Sequence, residues 1–250
     1  MLVVIIPAYK PDKTLVTITD QLWAYGCQMV VVDDGSGREC QQIFDKVRDI
    51  CIVLNHSENR GKGAAIKTAL SYIKSEMWDS GPVGIMDCDG QHLPEDMLKL
   101  LEVAGMHKKT LVLGVRDVGK EMPWKSRLGN QITRAVFKMV SGANVSDTQT
   151  GLRAFDTEMI PDLLSVAGER YEYEMNVLMT CAKVKIPIEE VPISTIYQDK
   201  NNSNSHFRSF VDSARIYKNI LKFTFSSFVK FISLRAERSR YEKKNFMDCG

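Results

Sequence analysis

The sequence predicts an α/β fold with a mostly parallel central sheet and helices on both faces. Two observations carry that reading. Short runs rich in Val and Ile alternate with longer segments of helical periodicity over the first 115 residues, and the connections between them are short. The runs also end in polar clusters: Tyr9, Asp33-Asp34, residues 59–63 and residues 87–91. In open parallel sheets, ligands sit beyond the carboxyl ends of the strands. Four polar clusters at four such ends therefore point to one ligand site.

The elements follow in order. Residues 2–6 are a continuous apolar run, as expected of a strand buried on both faces. Pro7 to Pro11 end it, and Asp12 is placed to cap a helix running to about residue 24. Residues 28–32 form a second buried strand, closed by Asp33-Asp34-Gly35-Ser36. A helix is expected over 39–47, a short strand over 51–54 and a strong helix over 64–75. Strand 83–86, a helix from Pro94 to about 104 and strand 111–115 complete the alternating part. The second half is less regular. A long helix is expected over 125–140, a loop entering a strand over 147–155, and a helix over 171–182. One or two strands broken by Pro187 and Pro192 are expected over 186–197, and a helix over 207–234.

Composition bounds the function. The chain has 250 residues, 44% hydrophobic and 26% charged, an ordinary globular mixture. A formal net charge of +2 makes no case for nucleic acid as a partner. The six cysteines lack metal-ligand or redox spacing, which fits reduced thiols in a cytoplasmic protein. The N-terminus reads as a strand, without the pattern of a secretory signal. No apolar stretch reaches the roughly 20 residues that span a bilayer.

The stretch with most chemistry is residues 83–92, Val-Gly-Ile-Met-Asp-Cys-Asp-Gly-Gln-His. An apolar run ends in Asp87, Asp89 and Gln91, spaced by two. In extended backbone such residues share one side, so three oxygen-bearing side chains would converge past a strand end. A hard divalent cation prefers such ligands. An acidic turn is the plainer alternative. Residues 61–66, Gly-Lys-Gly-Ala-Ala-Ile, lack the third glycine of a dinucleotide fingerprint. Their glycines are expected to let a helix pack close to the sheet.

Seven segments together resemble the family 2 glycosyltransferases of the GT-A fold, in the branch similar to polyprenyl-phosphate (dolichyl-phosphate) mannosyl- and glucosyltransferases. They are Ile-Ile-Pro-Ala-Tyr (5–9), Val-Val-Asp-Asp-Gly-Ser (31–36), Asn-Arg-Gly-Lys-Gly-Ala-Ala (59–65) and Met-Asp-Cys-Asp-Gly-Gln-His (86–92). Gly-Val-Arg-Asp (114–117), Ser-Arg-Leu-Gly-Asn (126–130) and Asp-Thr-Gln-Thr-Gly-Leu-Arg-Ala-Phe (147–155) complete the set. The resemblance covers residues 2 to about 223. It implies an inverting hexosyltransferase that uses a nucleotide sugar, a UDP- or GDP-hexose, with Mg2+ or Mn2+ as cofactor. Pro7, Ala8, Tyr9, Asp33, Asp34, Lys62, Asp87, Cys88, Asp89 and Arg116 would bind the nucleotide sugar. Asp89 and Gln91 would hold the metal. Asp147 would be the base or orienter, with Glu172 and Glu174 in reserve. Arg127, Asn130 and Arg153 would meet the acceptor phosphate. Singly, each has a plainer reading: Asp33-Asp34-Gly35 as a turn, Arg127 on a solvated helix face, Glu172 and Glu174 as favourable first-turn charges.

The C-terminal stretch bears on the acceptor. Residues 219–234 hold four Phe and two Lys, and Arg235, Arg238, Arg240, Lys243 and Lys244 follow. An interfacial helix with a basic flank fits this pattern. A helix docked on the domain or on a second copy of the chain, as in a homodimer, is the alternative. The expected division is a glycosyltransferase domain over 1–205, a membrane-interfacial helix over 206–234 and a basic tail over 235–250. The implied acceptor is a polyprenyl phosphate lipid, at the cytoplasmic face of the membrane. The chain departs from the lipid-phosphate enzymes at residues 203–206, where some have an Arg-rich loop.

Overall fold

A computed structural model describes residues 1–78, 81–116, 131, 134, 135, 137, 138, 142 and 144–194. The expected C-terminal helix and tail, with Arg127 and Asn130, lie outside the described residues. Of the helix expected over 125–140, residues 131, 134, 135, 137 and 138 are described, and all are helical.

The strands are β1 (Leu2–Ala8), β2 (Cys27–Asp33), β3 (Cys51–Asn55), β4 (Val83–Ile85), β5 (Leu111–Arg116), β6 (Arg153–Phe155) and β7 (Ile188–Ile193). The longer helices are α1 (Thr14–Ala24), α2 (Gln41–Val47), α3 (Lys62–Glu76) and α4 (Pro94–Met106), then the short α5 (Ile160–Ser165) and α6 (Glu172–Val184). One sheet orders the strands β3-β2-β1-β4-β6-β5-β7. All pairings are parallel except those of β6, which runs antiparallel to β4 and β5. Of the stretch 186–197, residues 186–194 are described, and among them Ile188–Ile193 form one strand through Pro192. It lies at the sheet's edge, where a residue without an N–H is tolerated.

Strand alternation divides the core. Val4, Ile6, Met29 and Val31 face α1, α2 and α4 through Leu15, Leu22, Phe44, Met97 and Leu101. On the opposite face Ile85, Leu111 and Phe155 meet Leu163, Tyr173 and Val177 of α5 and α6. Asp12 accepts the Thr14 amide at 2.8 Å just ahead of α1, but the N-cap position itself is Lys13, one residue later than expected. Among the described residues Cys27, Cys40, Cys51, Cys88 and Cys181 are free thiols. No described helix is long and apolar enough to cross a membrane.

The glycines before and within α3 serve a different contact from the one expected. Gly61 has φ +107°, and a Cβ on Gly63 would stand 2.6 Å from the Tyr173 Cβ and 2.9 Å from the Glu169 carbonyl carbon. The neighbour they admit is the chain entering α6, not the sheet. The Glu169 carbonyl accepts the Ala64 amide at 2.8 Å, so a main-chain oxygen occupies this helix N-terminus, where an anion is often held. Arg170 adds a bond from Nη1 to Asn59 Oδ1 at 3.1 Å.

This close approach is testable. Gly63→Ala should destabilise the protein by roughly 1–3 kcal/mol, as overpacking against backbone does. Urea unfolding would show it as a lower midpoint with an unchanged slope; an unchanged midpoint would contradict the packing.

Candidate active site

The site is assembled by strand ends. Pro7 and Ala8 are buried in β1, and the Asp34 amide donates to the Ala8 carbonyl at 2.8 Å. Tyr9 follows, partly exposed, and its backbone hydrogen-bonds the Cys88 thiol. Asp33 ends β2, and its Oδ1 accepts the Ser36 amide at 2.8 Å. The Ser36 hydroxyl in turn accepts the Lys10 amide at 2.9 Å.

Asp34 points inward. Its Oδ1 accepts the Arg60 amide at 2.9 Å and its Oδ2 the Gly61 amide at 2.8 Å. It therefore ties the glycine loop to the end of β2, with its side chain 4% exposed.

Past β4 the chain does not stay extended. It turns over residues 88–90, with Gly90 at φ +75°, and the Gln91 amide donates to Asp89 Oδ1 at 3.1 Å. The carboxylates Asp87 and Asp89 thus come together through a tight turn rather than through strand alternation.

Lys62, at the start of α3, reaches this turn. Its Nζ lies 2.7 Å from Asp87 Oδ1 and 3.0 Å from Glu174 Oε2 on α6. A Cβ on Gly151 would stand 2.2 Å from Asp87 Oδ2 and 3.1 Å from Lys62 Nζ, so the loop before β6 packs directly on this ion pair. At the start of the same loop Asp147, fully buried, accepts from Arg116 Nε at 2.6 Å and Nη2 at 3.1 Å. The pair is a two-pronged arginine–carboxylate bridge.

Other expected site residues are placed differently. The Arg153 side chain is 2% exposed and donates to the Thr150 and Glu174 carbonyls at 3.1 and 2.7 Å. Its guanidinium holds the loop to α6 instead of facing an open acceptor site. Arg153 Nη2 and Glu174 Oε1 are buried without a hydrogen-bond partner among the described residues. Glu172 Oε1 accepts the Glu169 and Arg170 amides, both at 3.3 Å, so its geometry is that of a local cap on the entry to α6.

The electrostatics separate the two aspartates of the turn. Burial alone would raise the Asp87 carboxyl, but the Lys62 ammonium outweighs it and holds Asp87 below the usual carboxylate range. Burial would likewise lower the Lys62 ammonium, and Asp87 with Glu174 holds it above the ordinary lysine value. Burial and the Asp87 charge push the Asp89 carboxyl up to about 6. Burial also pushes the His92 imidazole down to about 4 and the Cys88 thiol up to about 12.

Among the described residues no group of three or more His, Cys, Asp or Glu is arranged to hold a metal ion. The residue types that would hold a hard cation at the turn are nonetheless suited to one. Both the Asp89 carboxylate and the side-chain carbonyl of Gln91 are oxygen donors, and burial with the Asp87 charge raises the Asp89 carboxyl.

The sequence did not single out His56, Gly151 or His92. His56 links Asp34 to Thr68, and His92 Nδ1 is buried without a hydrogen-bond partner among the described residues. Gly151 and His92 lie inside segments already marked by their pattern. Nothing local marks His56.

Comparison with known proteins matches residues 3–164 to the model of glycosyl transferase family 2. The chain is 29% identical over 220 residues to the UDP-N-acetylglucosamine–dolichyl-phosphate N-acetylglucosaminyltransferase of Methanococcus voltae, covering 80% of this chain and 87% of that one. It is 25% identical over 204 residues to the polyprenol monophosphomannose synthase of Mycolicibacterium smegmatis, covering 76% of each. The crystal structure of a mycobacterial protein superposes with a TM-score of 0.65 at 16% identity, over 91% of this chain and 74% of that one. That likeness speaks to the fold alone.

The raised Asp89 carboxyl gives a pH test. Its folded value of about 6 lies above the ordinary 3.8. The folded state therefore favours the protonated form. Stability tied to that proton is fully present below about 3.8 and is lost as pH rises through about 6. Without divalent cations, Asp89→Asn should melt higher than wild type at pH 7, and the gap should close toward pH 4. A gap that does not change with pH would contradict the assignment.

Proposed function

The chain belongs to glycosyl transferase family 2, and from that premise we propose that it moves a hexosyl unit from a nucleoside-diphosphate sugar to a polyprenyl phosphate. The observation that carries the reading is the junction of two loops. The turn of Asp87 and Asp89 meets the loop of Asp147 and Gly151 at the Lys62 ion pair. A donor held at the first loop would have its anomeric carbon near groups set by the second. The names of the relatives supply the acceptor class, a lipid phosphate.

In this proposal Tyr9, Asp33 and Asp87 face the nucleoside, where an aspartate accepts from a base N–H or a ribose hydroxyl. Asp89 and Gln91 hold Mg2+ or Mn2+, which supplies Lewis-acid stabilisation of the leaving diphosphate. Asp147 orients rather than abstracts. Both its oxygens accept from Arg116, the geometry of a group that aligns its partner. A lipid phosphate needs no strong base, because its second ionisation lies near pH 6, about that of other phosphomonoesters. Arg116, aligned by Asp147, presents its charge to donor or acceptor phosphate oxygens. Inversion follows from in-line attack opposite the leaving diphosphate. The sequence pattern of residues 206–234 supports a peripheral attachment to the cytoplasmic face of the membrane.

The test of the function is a transfer assay. The protein is incubated with labelled UDP- and GDP-hexoses and a short polyprenyl phosphate, with Mg2+, with Mn2+ and with EDTA. A lipid-extractable, sugar-bearing phosphate that forms with metal and is lost with EDTA is expected. Label on a soluble glycan primer instead would replace the acceptor, and no transfer from any donor would end the proposal.

The two roles of Asp147 separate by pH. Asp147→Asn should lower kcat roughly tenfold to a hundredfold with donor KM little changed. Its pH profile above about 7 should parallel that of wild type. A variant that loses the acid limb of the wild-type profile would make Asp147 the base after all.

A further inference from the structure

His56 lies outside the reaction, yet it touches the element on which the donor site is hung. It follows β3, and its own amide donates to the Asp33 carbonyl at 2.8 Å. Its Nδ1 is 2.7 Å from Asp34 Oδ1, and its Nε2 is 2.9 Å from Thr68 Oγ1 on α3. Both side chains of the His56–Asp34 pair are 4% exposed. A carboxylate only accepts, so Nδ1 carries the proton of the short bond. Asp34 therefore takes His56 on one oxygen together with the Arg60 amide, and the Gly61 amide on the other. The next residue is Lys62, whose ammonium meets Asp87 and Glu174.

We infer that His56 is a positioning residue of the donor site: wedged between Asp34 and Thr68, it fixes the carboxylate that holds the Arg60 and Gly61 amides and so sets Lys62 against Asp87. The chain of contacts is continuous. Thr68 stands on the helix that Lys62 begins, so His56 pins α3 at its second turn while Asp34 pins its entry. Without the imidazole, Asp34 keeps its two amides but loses the contact that stops its carboxylate from rotating. The loop 59–61 can then shift against α3, and Lys62 shifts with it. The inference rests on the donor-site reading above, since it assigns His56 an effect on donor binding.

The experiment compares His56→Leu, His56→Asn and Thr68→Val with wild type, using UDP-N-acetylglucosamine and GDP-mannose as probes. Donor KM and kcat are measured on protein quantified by its folded fraction. Loss of folded protein lowers apparent kcat and leaves KM alone; a misplaced Lys62 raises donor KM. His56→Leu should raise donor KM about tenfold, the loss of one hydrogen bond to a charged group, with kcat within about twofold. His56→Asn places an amide N–H where Nδ1 stands and should recover most of the affinity. Thr68→Val should fall between. If His56→Leu does not fold, Thr68→Val decides by the same split. Wild-type donor KM in His56→Leu, or in Thr68→Val where His56→Leu does not fold, overturns the inference and leaves the donor site standing. A wild-type protein that binds neither probe overturns the donor-site reading, and this inference with it.

Discussion

The arrangement of this site depends on one buried cation. Lys62 keeps 11% of its side-chain exposure and sits about 3 Å from two carboxylates that belong to distant parts of the chain. At an effective dielectric of 20, each contact is worth roughly 5 kcal/mol. Desolvation costs several kcal/mol per ion and offsets most of that. The net contribution to stability is therefore small, and the consequence is geometric. Removing the ammonium would leave Asp87 and Glu174 facing each other in a confined space. Their charges would push apart the turn after β4 and the first turn of α6. The glycines of the α3 entry serve the same junction, because Gly61 and Gly63 let the chain before α6 approach closely enough for Glu174 to reach Lys62.

The second constraint is topological. Strands β1, β2, β4 and β5 run in one direction and end on one edge of the sheet. Strand β6 is reversed between β4 and β5, with Arg153 opposite both Ile85 and Leu113. Residues before a reversed strand lie at the edge where its neighbours end. That is why Asp147, six residues ahead of β6, can meet Arg116 at the end of β5, and why Gly151 can lie against Asp87 just past β4. A parallel β6 would carry this loop to the far edge, away from the donor turn.

Much of the fold was legible because buried parallel strands are written as unbroken apolar runs. Residues 2–6, 28–32 and 111–115 all lie inside observed strands. The reversal of β6 was not legible. Three residues, Arg153–Phe155, carry no directional signal, and the loop entering a strand could be read only as that. Within the site, residue type was a better guide than orientation. Asp34, Glu172 and Arg153 are polar residues in motif segments, yet their groups are spent on main-chain partners. Nothing in a sequence tells whether a carboxylate will accept from a ligand or from the backbone of its own loop. The pairs that build the site were illegible for a related reason: Lys62 meets Glu174, and Arg116 meets Asp147, only after the sheet has ordered its strands.

The distribution of partners among the acids singles out one of them. Asp34 takes two amides and an imidazole, Asp147 an arginine fork and the Gln149 amide, Glu172 two amides, and Asp87 and Glu174 share Lys62. Each is matched by donors or by a cation. Asp33 accepts the Ser36 amide and Asp89 the Gln91 amide, and of the two it is Asp89 that lies beside the Asp87 charge. Burial and that charge push its carboxyl up to about 6. A folded protein that keeps such a group ionised at neutral pH carries a local excess of negative charge at the mouth of its strand ends. In the proposed site, Asp89 is the group to which an incoming cation would be drawn. The neighbouring ion pair sharpens this choice, because Lys62 contacts Asp87 at 2.7 Å and reaches Asp89 only through space.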